Sequence, residues 1–309
     1  MNLRKLIFTN SDNYKAKSRI TPKGIMVHST GANNPELRRY VGPDDGRLGK
    51  NQYNNHWNQP MARTVGMHGF IGKLADGTIA TYQTLPWTHR AWHSGGKAND
   101  THVGFEICED NLKNKDYFTK VYQEAVEFCA FLCELHGLDP MKSGVIIGHY
   151  EGYKLGLASN HGDPDHWFKK YGKSMDTLRA DVSKLMKVQP EQKITTGSVN
   201  LRKAPSVFYD VVRNLKEGTQ VNVLMTLDKW SYVKAGTDFG YIFNSYIGDL
   251  PKSEPVSDPI NGPYETENSR LWFRAIAGSY LTRDEAMKEV ERLKAEGRNA
   301  WLQAVHIDK

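Results

Sequence analysis

The sequence predicts an α/β region with a central mixed β-sheet flanked by helices, followed by a small all-β barrel and a short βαβ segment. Three observations predict this order. Apolar runs typical of buried strands alternate with amphipathic helical patterns as far as residue 187. Between residues 197 and 249, turn signals recur about every ten residues, which is typical of a small barrel. In the last part of the chain, one helical pattern lies between two strand patterns.

The composition is that of a globular protein with more than one domain. The 309 residues suffice for two or three domains, and 39% hydrophobic with 25% charged residues is ordinary for a chain that buries a core. Cys129 and Cys133 lie four apart in a helical stretch and are predicted to fill the core, so that with Cys108 they form no disulfide framework. The net charge of +6 favours an anionic partner, which composition leaves open among nucleic acid, a membrane surface and a cell wall.

The N-terminal stretch lacks the apolar core and cleavage site of a signal peptide, and no run approaches the length of a membrane span. We therefore expect synthesis and folding in the cytoplasm, with release dependent on another component.

The first half of the α/β region is predicted as strands and loops. Residues 24–27 form a continuous apolar run that ends in His28. Residues 36–60 are polar and predict a long surface loop, with a short helix near residues 54–59. An Asp-Gly pair between two apolar runs predicts a hairpin over residues 69–82. A further strand at 103–107 places Glu106 among apolar neighbours.

Two amphipathic helices complete this region. The first is predicted over residues 118–136, with Gly137 as its C-cap and a buried stripe of Val121, Ala125, Phe128, Leu132 and Leu135. A short apolar strand at 145–147 follows and leads to His149. The second helix spans residues 174–187 and directs inward Leu178, Val182, Leu185 and Met186.

Ionisable residues mark the ends of three predicted strands. His28 and His149 fall at carboxyl ends, where open α/β sheets bind ligands, and Glu106 lies near the end of its own strand. His161 and Asp163 follow His149 closely and add the nitrogen and oxygen donors that zinc favours. Taken alone, His149 fits a hydrogen-bonded core histidine, and Glu106 fits half of a buried ion pair. The convergence of the three strand ends favours a metal site.

Five motifs lie in one order between residues 24 and 164. They are GIMVHSTG (24–31), HGFIGKLADGTIATYQTLP (68–86), AWHSGG (91–96), VGFEI (103–107) and GHYEGYKLGLASNHGDP (148–164). With these motifs, residues 24–168 resemble the zinc-dependent N-acetylmuramoyl-L-alanine amidase family, which includes phage endolysins, autolysins and peptidoglycan recognition proteins. The resemblance is strongest to endolysins and prophage amidases of Gram-positive hosts.

The resemblance implies a role for each residue of the site. His28, His149 and Asp163 match ligands of one zinc ion (Zn²⁺) that holds water in its fourth position. Glu106 matches the catalytic glutamate, which orients or deprotonates the water and protonates the leaving amine. His161 lies where relatives carry a cationic residue or histidine that stabilises the tetrahedral oxyanion.

Other residues are predicted to bind the substrate. His93 is expected to contact the substrate or support the oxyanion, and the same cleft is expected to include His68, Trp92, Thr30 and Asn99. His93, His68 and His89 also fit ordinary surface histidines, and for His89 we favour that interpretation. The sequence leaves two roles equally open for Trp57, Trp87 and Trp92, namely packing in the core and stacking on sugars.

The identity of the third zinc ligand has alternatives. The insertion between His149 and Asp163 is longer than in the simplest family members, so His161, Asp165 and His166 also compete for this position. We prefer Asp163, because the proline that follows it matches the Asp-Pro of the family.

The remainder of the chain is predicted as wall-binding modules. Residues 1–187 are predicted to form the catalytic domain, and residues 187–193 are predicted to be a polar linker. Residues 194–250, with VNLRKAPS, LKEGTQVNVL and KWSYVKAGTDFGYIFNSYI, resemble the bacterial SH3 (SH3b) domain of cell-wall hydrolases. The alternative is a generic SH3-like barrel with another partner. Residues 251–268 are rich in proline, serine and acidic residues, which predicts a flexible linker.

The last segment, residues 269–309, is predicted as a strand at 272–277, a helix at 283–296 capped by Gly297, and a strand at 300–305. The helix is expected to bury Ala286, Val290 and Leu293. WFRAIAGSY and EAMKEVERLKAEGRNAWL resemble half of a SPOR repeat, a fold that binds glycan strands stripped of peptides. About 40 residues are marginal alone, so we expect packing on a neighbour or homodimerisation through this segment.

These patterns together predict a modular peptidoglycan hydrolase, a phage or prophage endolysin that reaches the wall by a holin-type route. It is expected to cleave the amide between N-acetylmuramic acid and L-alanine, with its basic charge drawing it to anionic wall polymers. Nucleic acid is not expected as a partner, since runs of Lys and Arg are scarce. No membrane partner is expected either. The alternatives are a non-catalytic peptidoglycan-binding protein and a zinc peptidase acting within the stem peptide.

Overall fold

The computed structural model describes residues 1–60, 65–187, 190–250, 271–275, 278–280, 283–295 and 303–306. The chain divides into two compact units, Met1–Lys252 and Ser253–Lys309. The first unit contains a six-stranded mixed sheet with flanking helices and a seven-stranded antiparallel sheet. Among the helices described in these ranges, none is both long and apolar enough to cross a membrane.

The mixed sheet and its helices occupy the first 186 residues. In chain order the elements are β1 (Leu3–Lys5), α1 (Asp12–Lys15), β2 (Gly24–Ser29), β3 (Gly69–Lys73), β4 (Ile79–Gln83), β5 (His102–Ile107), α2 (Lys115–His136), β6 (Ile146–Gly148), α3 (His149–Lys154), α4 (Asp165–Lys170) and α5 (Met175–Met186).

The strand order of this sheet is β1-β4-β3-β5-β2-β6, with only the β3–β4 hairpin antiparallel. The mixed sheet and the hairpin are therefore confirmed. Every residue of β2 and β5 is buried, as expected for parallel strands covered on both faces. At the turn of the hairpin, Gly77 has a φ of 82°, a conformation that glycine adopts without steric cost.

Helix α2 is buried on more of its surface than its amphipathic stripe predicts. It begins at Asn114, whose side chain accepts a hydrogen bond from the Tyr117 amide, and ends at Gly137, with a φ of 62°. The predicted inward position of Leu135 is wrong. Burial of consecutive residues stops at Cys133, so the last turn lies beyond the packed part of the helix and Leu135 is 43% exposed. All three cysteines are free and buried.

Residues 36–60 differ from their prediction in two ways. No helix forms at 54–59, and the helical turn lies instead at Leu37–Arg39, as a 3₁₀-helix. The segment is also more than a surface loop, because several of its apolar side chains pack against the β3–β4 hairpin, namely Leu37, Tyr40, Val41 and Leu48. A few large apolar residues thus anchor a segment whose average composition is polar.

The antiparallel sheet consists of β7 (Glu191–Thr195), β8 (Val199–Arg202), β9 (Val211–Leu215), β10 (Gln220–Thr226), β11 (Trp230–Ala235), β12 (Asp238–Phe243) and β13 (Ile247–Asp249). The predicted linker is wrong in its second half, because residues 191–193 belong to β7. The side chains of β7 are mostly polar, and only Thr195 is buried, which conceals the strand in the sequence. Its backbone pairs with β10 on one side and β13 on the other.

The seven-stranded sheet and the helices of the mixed sheet share one hydrophobic core. The ring centroids of Phe131, on α2, and Tyr241, on β12, lie 6.0 Å apart. The Tyr209 hydroxyl donates a hydrogen bond of 2.6 Å to Gln83 Oε1 at the end of β4. The Asp228 amide donates one of 3.2 Å to the buried carboxylate of Glu127, on α2. These contacts explain why two faces of α2 are buried.

The second unit contains β14 (Leu271–Ala275), β15 (Gly278–Tyr280), α6 (Arg283–Ala295) and β16 (Gln303–His306). The strands form an antiparallel sheet in the order β15-β14-β16. The predicted βαβ order is thus incomplete, because a second strand precedes the helix. The helix buries Ala286, Val290 and Leu293 as predicted. The proposed linker at 251–268 and the cap at Gly297 lie outside the described residues.

Candidate active site and metal centre

A cavity of about 640 Å³ opens where β2 and β5 end. All of the predicted site residues line it except His68. The topology accounts for this convergence, because β5, β2 and β6 run parallel and deliver their carboxyl ends to one edge of the sheet. His28 lies near the end of β2, and His149 follows β6 directly as the first residue of α3.

Three side chains form a cluster with the spacing of metal ligands. His28 Nδ1 lies 3.0 Å from His149 Nδ1 and 3.2 Å from Asp163 Oδ2. His149 Nδ1 lies 3.6 Å from Asp163 Oδ1. In tetrahedral zinc sites, bonds of about 2.0–2.1 Å place ligand atoms about 3.3 Å apart. Within the described part of the chain this is the cluster that suits a metal ion, and its donors and spacing fit zinc.

The protonation states of the cluster also suit a metal. Burial, together with the neighbouring His28 ring, lowers the pKa of His149 to about 4. Burial by itself would raise the pKa of Asp163, but its contacts with the His28 and His149 rings lower it. At neutral pH, His149 is therefore neutral and Asp163 is ionised, which are the forms of these groups that bind metals.

The turn that carries His149 is held by a half-buried polar network. The Glu151 carboxylate accepts a hydrogen bond of 3.0 Å from the Gly148 amide at the junction of β6 and α3. Arg179, on α5, donates to both oxygens of Glu151 at 2.9 and 3.0 Å, and also to the Ile146 carbonyl at 2.8 Å. A bidentate pair of this kind fixes orientation as well as distance. The network therefore aligns the strand end with the first turn of α3.

The structure separates the alternatives for the third ligand. His166 contacts Glu109 at 3.0 Å, and Asp165 contacts Lys169 at 2.7 Å. His161 lies beside the cluster, with its ring centroid 4.5 Å from that of His149. Of the four candidates, Asp163 is the one whose oxygen atoms face both His28 and His149.

Glu106 is a buried carboxyl group at the wall of the cavity. It is 9% exposed, and its Oε2 has no hydrogen-bond partner among the described residues. Burial raises its pKa well above the ordinary value for glutamate, and the negative charges of Asp163 and Glu109 raise it further. A buried carboxyl without a partner, beside a metal-type cluster, has the properties of a catalytic acid or base.

With this geometry established, comparison with known proteins assigns the domains. Residues 18–166 match the model of the N-acetylmuramoyl-L-alanine amidase family, and residues 197–248 match that of the bacterial SH3 domain. Residues 18–166 are an N-acetylmuramoyl-L-alanine amidase family domain. The resemblance to both families is thus confirmed. Among curated proteins, none matches the sequence.

Solved structures give weaker similarities. Hydrolase AmiA from Staphylococcus aureus aligns at 20% identity and a TM-score of 0.43, over 59% of this chain and 80% of that one. A mutant endolysin from Bacillus subtilis aligns at 19% and 0.40, over 59% and 99%. The amidase LysC from Clostridium intestinale aligns at 16% and 0.33, over 56% and 99%. Because these scores lie below 0.5, the domain assignment rests on the family models.

His68 does not line the cleft of the amidase domain, contrary to the prediction. Its ring is fully buried, with Nε2 donating to the His89 carbonyl at 2.8 Å and Nδ1 accepting from the Gly104 amide at 3.0 Å. Both ring nitrogens are therefore used in holding neighbouring backbone segments together. The prediction that His89 lies at the surface is also wrong, because this residue is only 4% exposed and its ring packs against Tyr14.

The remaining predicted residues line the cleft in different ways. Thr30 Oγ1 accepts from the Glu109 amide at 3.0 Å. Asn99 Oδ1 accepts from the amides of His93 and Ser94 at 2.9 and 2.8 Å, so this side chain shapes the loop around His93. Trp92 is half-buried in the cleft wall.

The three tryptophans whose roles the sequence left open separate into two groups. Trp57 and Trp92 line the cleft, and the Trp57 ring also packs against the core residues Tyr40 and Phe70. Trp87 belongs to the core, with its ring centroid 5.7 Å from that of Phe128.

Ser159 and Arg90 also line the cleft and were not among the predicted site residues. Ser159 Oγ lies 3.3 Å from His149 Nε2 and 3.0 Å from His161 Nδ1, so it connects the metal-type cluster to His161. Arg90 lines the cavity and pairs with Asp100, with 2.5 Å between Nε and Oδ1. A serine in a polar loop carries no signal of its own. Arg90 adjoins the AWHSGG motif, and its position there was the signal that could have been used.

Proposed function

We propose that this protein is a peptidoglycan hydrolase that cleaves the amide between the lactyl group of N-acetylmuramic acid and the L-alanine of the stem peptide. We further propose that His28, His149 and Asp163 hold one zinc ion. The observation that carries the proposal is the close approach of these three side chains beside the buried Glu106 carboxyl, inside an amidase-family domain.

The zinc ion would supply Lewis-acid chemistry, since binding to zinc lowers the pKa of water to about 7 and polarises a carbonyl group. Glu106 handles the proton. Its Oε2 accepts the proton that the attacking water loses, and the same oxygen then returns it to the nitrogen of the leaving L-alanine. A raised pKa suits both transfers, because this carboxyl takes up a proton more readily than an ordinary glutamate does.

His161 is proposed to stabilise the oxyanion that forms when water adds to the scissile carbonyl. Its ring lies against His149 on the cavity wall, and its Nδ1 is held by Ser159 Oγ at 3.0 Å. That contact leaves Nε2 as the ring nitrogen available to the substrate. Trp57 and Trp92 are proposed to stack on the sugar, and Thr30 and Asn99 to shape the subsite around it.

The other parts of the chain are proposed to hold the wall. The bacterial SH3 domain binds wall components, and the net charge of +6 favours anionic polymers there. The SPOR-like segment at 269–309 binds glycan stripped of its peptides and supports a homodimer. Light scattering tests the dimer, which is wrong if the mass per particle is unchanged without residues 269–309. As an endolysin, the protein would reach the wall by a holin-type route.

The deciding experiment is wall digestion with analysis of both possible products. We expect new amino termini of L-alanine without new reducing sugars, and their loss in Glu106→Ala while zinc is retained. Zinc binding without cleavage of several walls would instead support a non-catalytic peptidoglycan-binding protein. If the new amino terminus belongs to a residue other than L-alanine, the metal site stands, but the bond that is cut lies within the stem peptide.

A further inference from the structure

His93 contacts a candidate metal ligand on the side that faces away from the metal position. The Nε2 atom of His28 lies 3.0 Å from His93 Nδ1, while His28 Nδ1 faces His149 and Asp163. The Nε2 atom of His93 lies 3.2 Å from the backbone carbonyl of His102. The three groups therefore form a chain that runs from the metal-type cluster to the backbone of β5.

The backbone carbonyl fixes the direction of every hydrogen bond in this chain. A carbonyl oxygen only accepts, so the proton of the His93 ring must be on Nε2. In the neutral ring, His93 Nδ1 then carries a lone pair and accepts from His28 Nε2. His28 is consequently protonated at Nε2, which leaves the lone pair of its Nδ1 directed at the position between His149 and Asp163.

The packing around His93 leaves its ring little freedom. The ring is 7% exposed and lies directly over Gly104, where a Cβ atom would come within 2.4 Å of the His93 ring. The backbone amide of His93 is held by Asn99 Oδ1 at 2.9 Å. The ring of His28 meets it edge to face, with centroids 5.2 Å apart. A side chain fixed in this way can impose a direction on its hydrogen-bond partner.

We infer that His93 is a positioning residue that sets the tautomer and ring orientation of His28 for zinc binding, and does not act by contact with the substrate. The inference rests on the proposed zinc site. Outer partners of metal-bound histidines typically contribute about 10–100-fold in metal affinity, and His93 occupies that place for His28.

A matched pair of substitutions tests the acceptor at His93 Nδ1. His93→Asn retains an oxygen acceptor near the Nδ1 position, whereas His93→Leu has nearly the same size and no acceptor. Zinc affinity is measured on the full chain by competition with a chromophoric chelator, with circular dichroism of the metal-free forms as the folding control. We expect about 10–100-fold weaker zinc binding for the leucine variant, and binding within a few-fold of wild type for the asparagine variant.

The outcomes separate this inference from the proposed function. Wild-type zinc affinity in the leucine variant, or equal weakening in both variants, would overturn the inference while the zinc site stands. Unchanged zinc affinity with a raised KM in both variants would also overturn it and assign His93 to the substrate. A wild-type protein that binds no zinc would overturn the inference and the proposed function together.

A measurement on the wild-type protein applies even if the leucine variant does not fold. Long-range ¹H–¹⁵N correlation spectra of zinc-loaded protein labelled with ¹⁵N-histidine report the tautomer of each ring. We expect protonation at Nε2 of both His28 and His93. Protonation of His93 at Nδ1 would reverse the chain and overturn the inference.

Discussion

His28 and Glu106 occupy directly paired positions on the adjacent parallel strands β2 and β5. Paired residues on parallel strands project from the same face of the sheet, so the backbone register places a candidate metal ligand and the candidate acid/base side by side. Both strands are buried along their whole length. The spacing between the two functional groups is therefore set by the register of two buried strands and not by a loop.

Glu106→Gln is expected to abolish most of the wall-digesting activity without loss of metal. Glutamine keeps the shape of the side chain but neither accepts nor returns a proton, and the loss of a general acid/base typically costs about 10²–10⁴-fold in rate. The rate of release of amino termini and the zinc content of the protein are the measurements. Activity within tenfold of wild type would assign proton transfer to another group.

The same substitution is expected to stabilise the metal-free protein in a pH-dependent way. The pKa of Glu106 is raised in the folded state, so the folded protein binds an extra proton between the ordinary and the raised pKa. Stability of the wild type then falls as pH rises through that window, whereas the glutamine variant has no such loss.

Melting curves in a chelator test this expectation. Near about pH 4 the two proteins should have similar Tm values, and near about pH 7 the variant should melt higher, by about 2–4 °C for each kcal/mol. A Tm difference of the same size at both pH values would contradict the raised pKa.

Arg179→Met is expected to weaken both the fold and the metal site. Methionine retains much of the aliphatic packing but removes the bidentate contact with Glu151, which holds the turn before His149. The loss of hydrogen bonds to a charged group is expected to cost about 2 kcal/mol of unfolding free energy. Lys184→Met, at an exposed position on the same helix, is the control. Equal zinc affinity in the two variants would show that the network does not align His149.

Removal of residues beyond 187 is expected to destabilise the amidase domain itself. The truncation exposes apolar surface of α2 around Phe131 and leaves Gln83 and Glu127 without their partners Tyr209 and Asp228. We expect a lower Tm and aggregation of the 1–187 fragment. Tyr209→Phe, which removes one hydrogen bond, should cost about 1 kcal/mol. A fragment that melts like the full chain would contradict a shared core.

Much of the site was predictable because its chemistry follows strand ends. Apolar runs that terminate in His28 and His149 indicate where parallel strands stop, and the topology then brings them together. His68 was misplaced because a histidine in a family motif looks the same whether it faces the cleft or bonds to backbone. Only the packed structure shows that both of its nitrogens are used.

The missed features depend on contacts between distant parts of the chain. The prediction assigns residues 191–193 of β7 to the linker because the strand is mostly polar and its backbone pairing with β10 leaves no pattern in the sequence. The wide burial of α2 arises from the second sheet, which packs on a face that the helical pattern alone assigns to solvent. Ser159 becomes significant only when the loop brings it to His149 and His161.

The hydrogen bond between Tyr209 and Gln83, with the core beneath it, also limits how the protein can work on a solid substrate. The barrel packs directly on the amidase domain, so the described contacts hold the cleft and the barrel together. If the bacterial SH3 domain binds the wall as proposed, the cleft reaches only those bonds that lie at a fixed distance and angle from the point of attachment. Each further cleavage then requires the protein to dissociate and rebind. The residence time on the wall would therefore govern how many bonds one molecule cleaves.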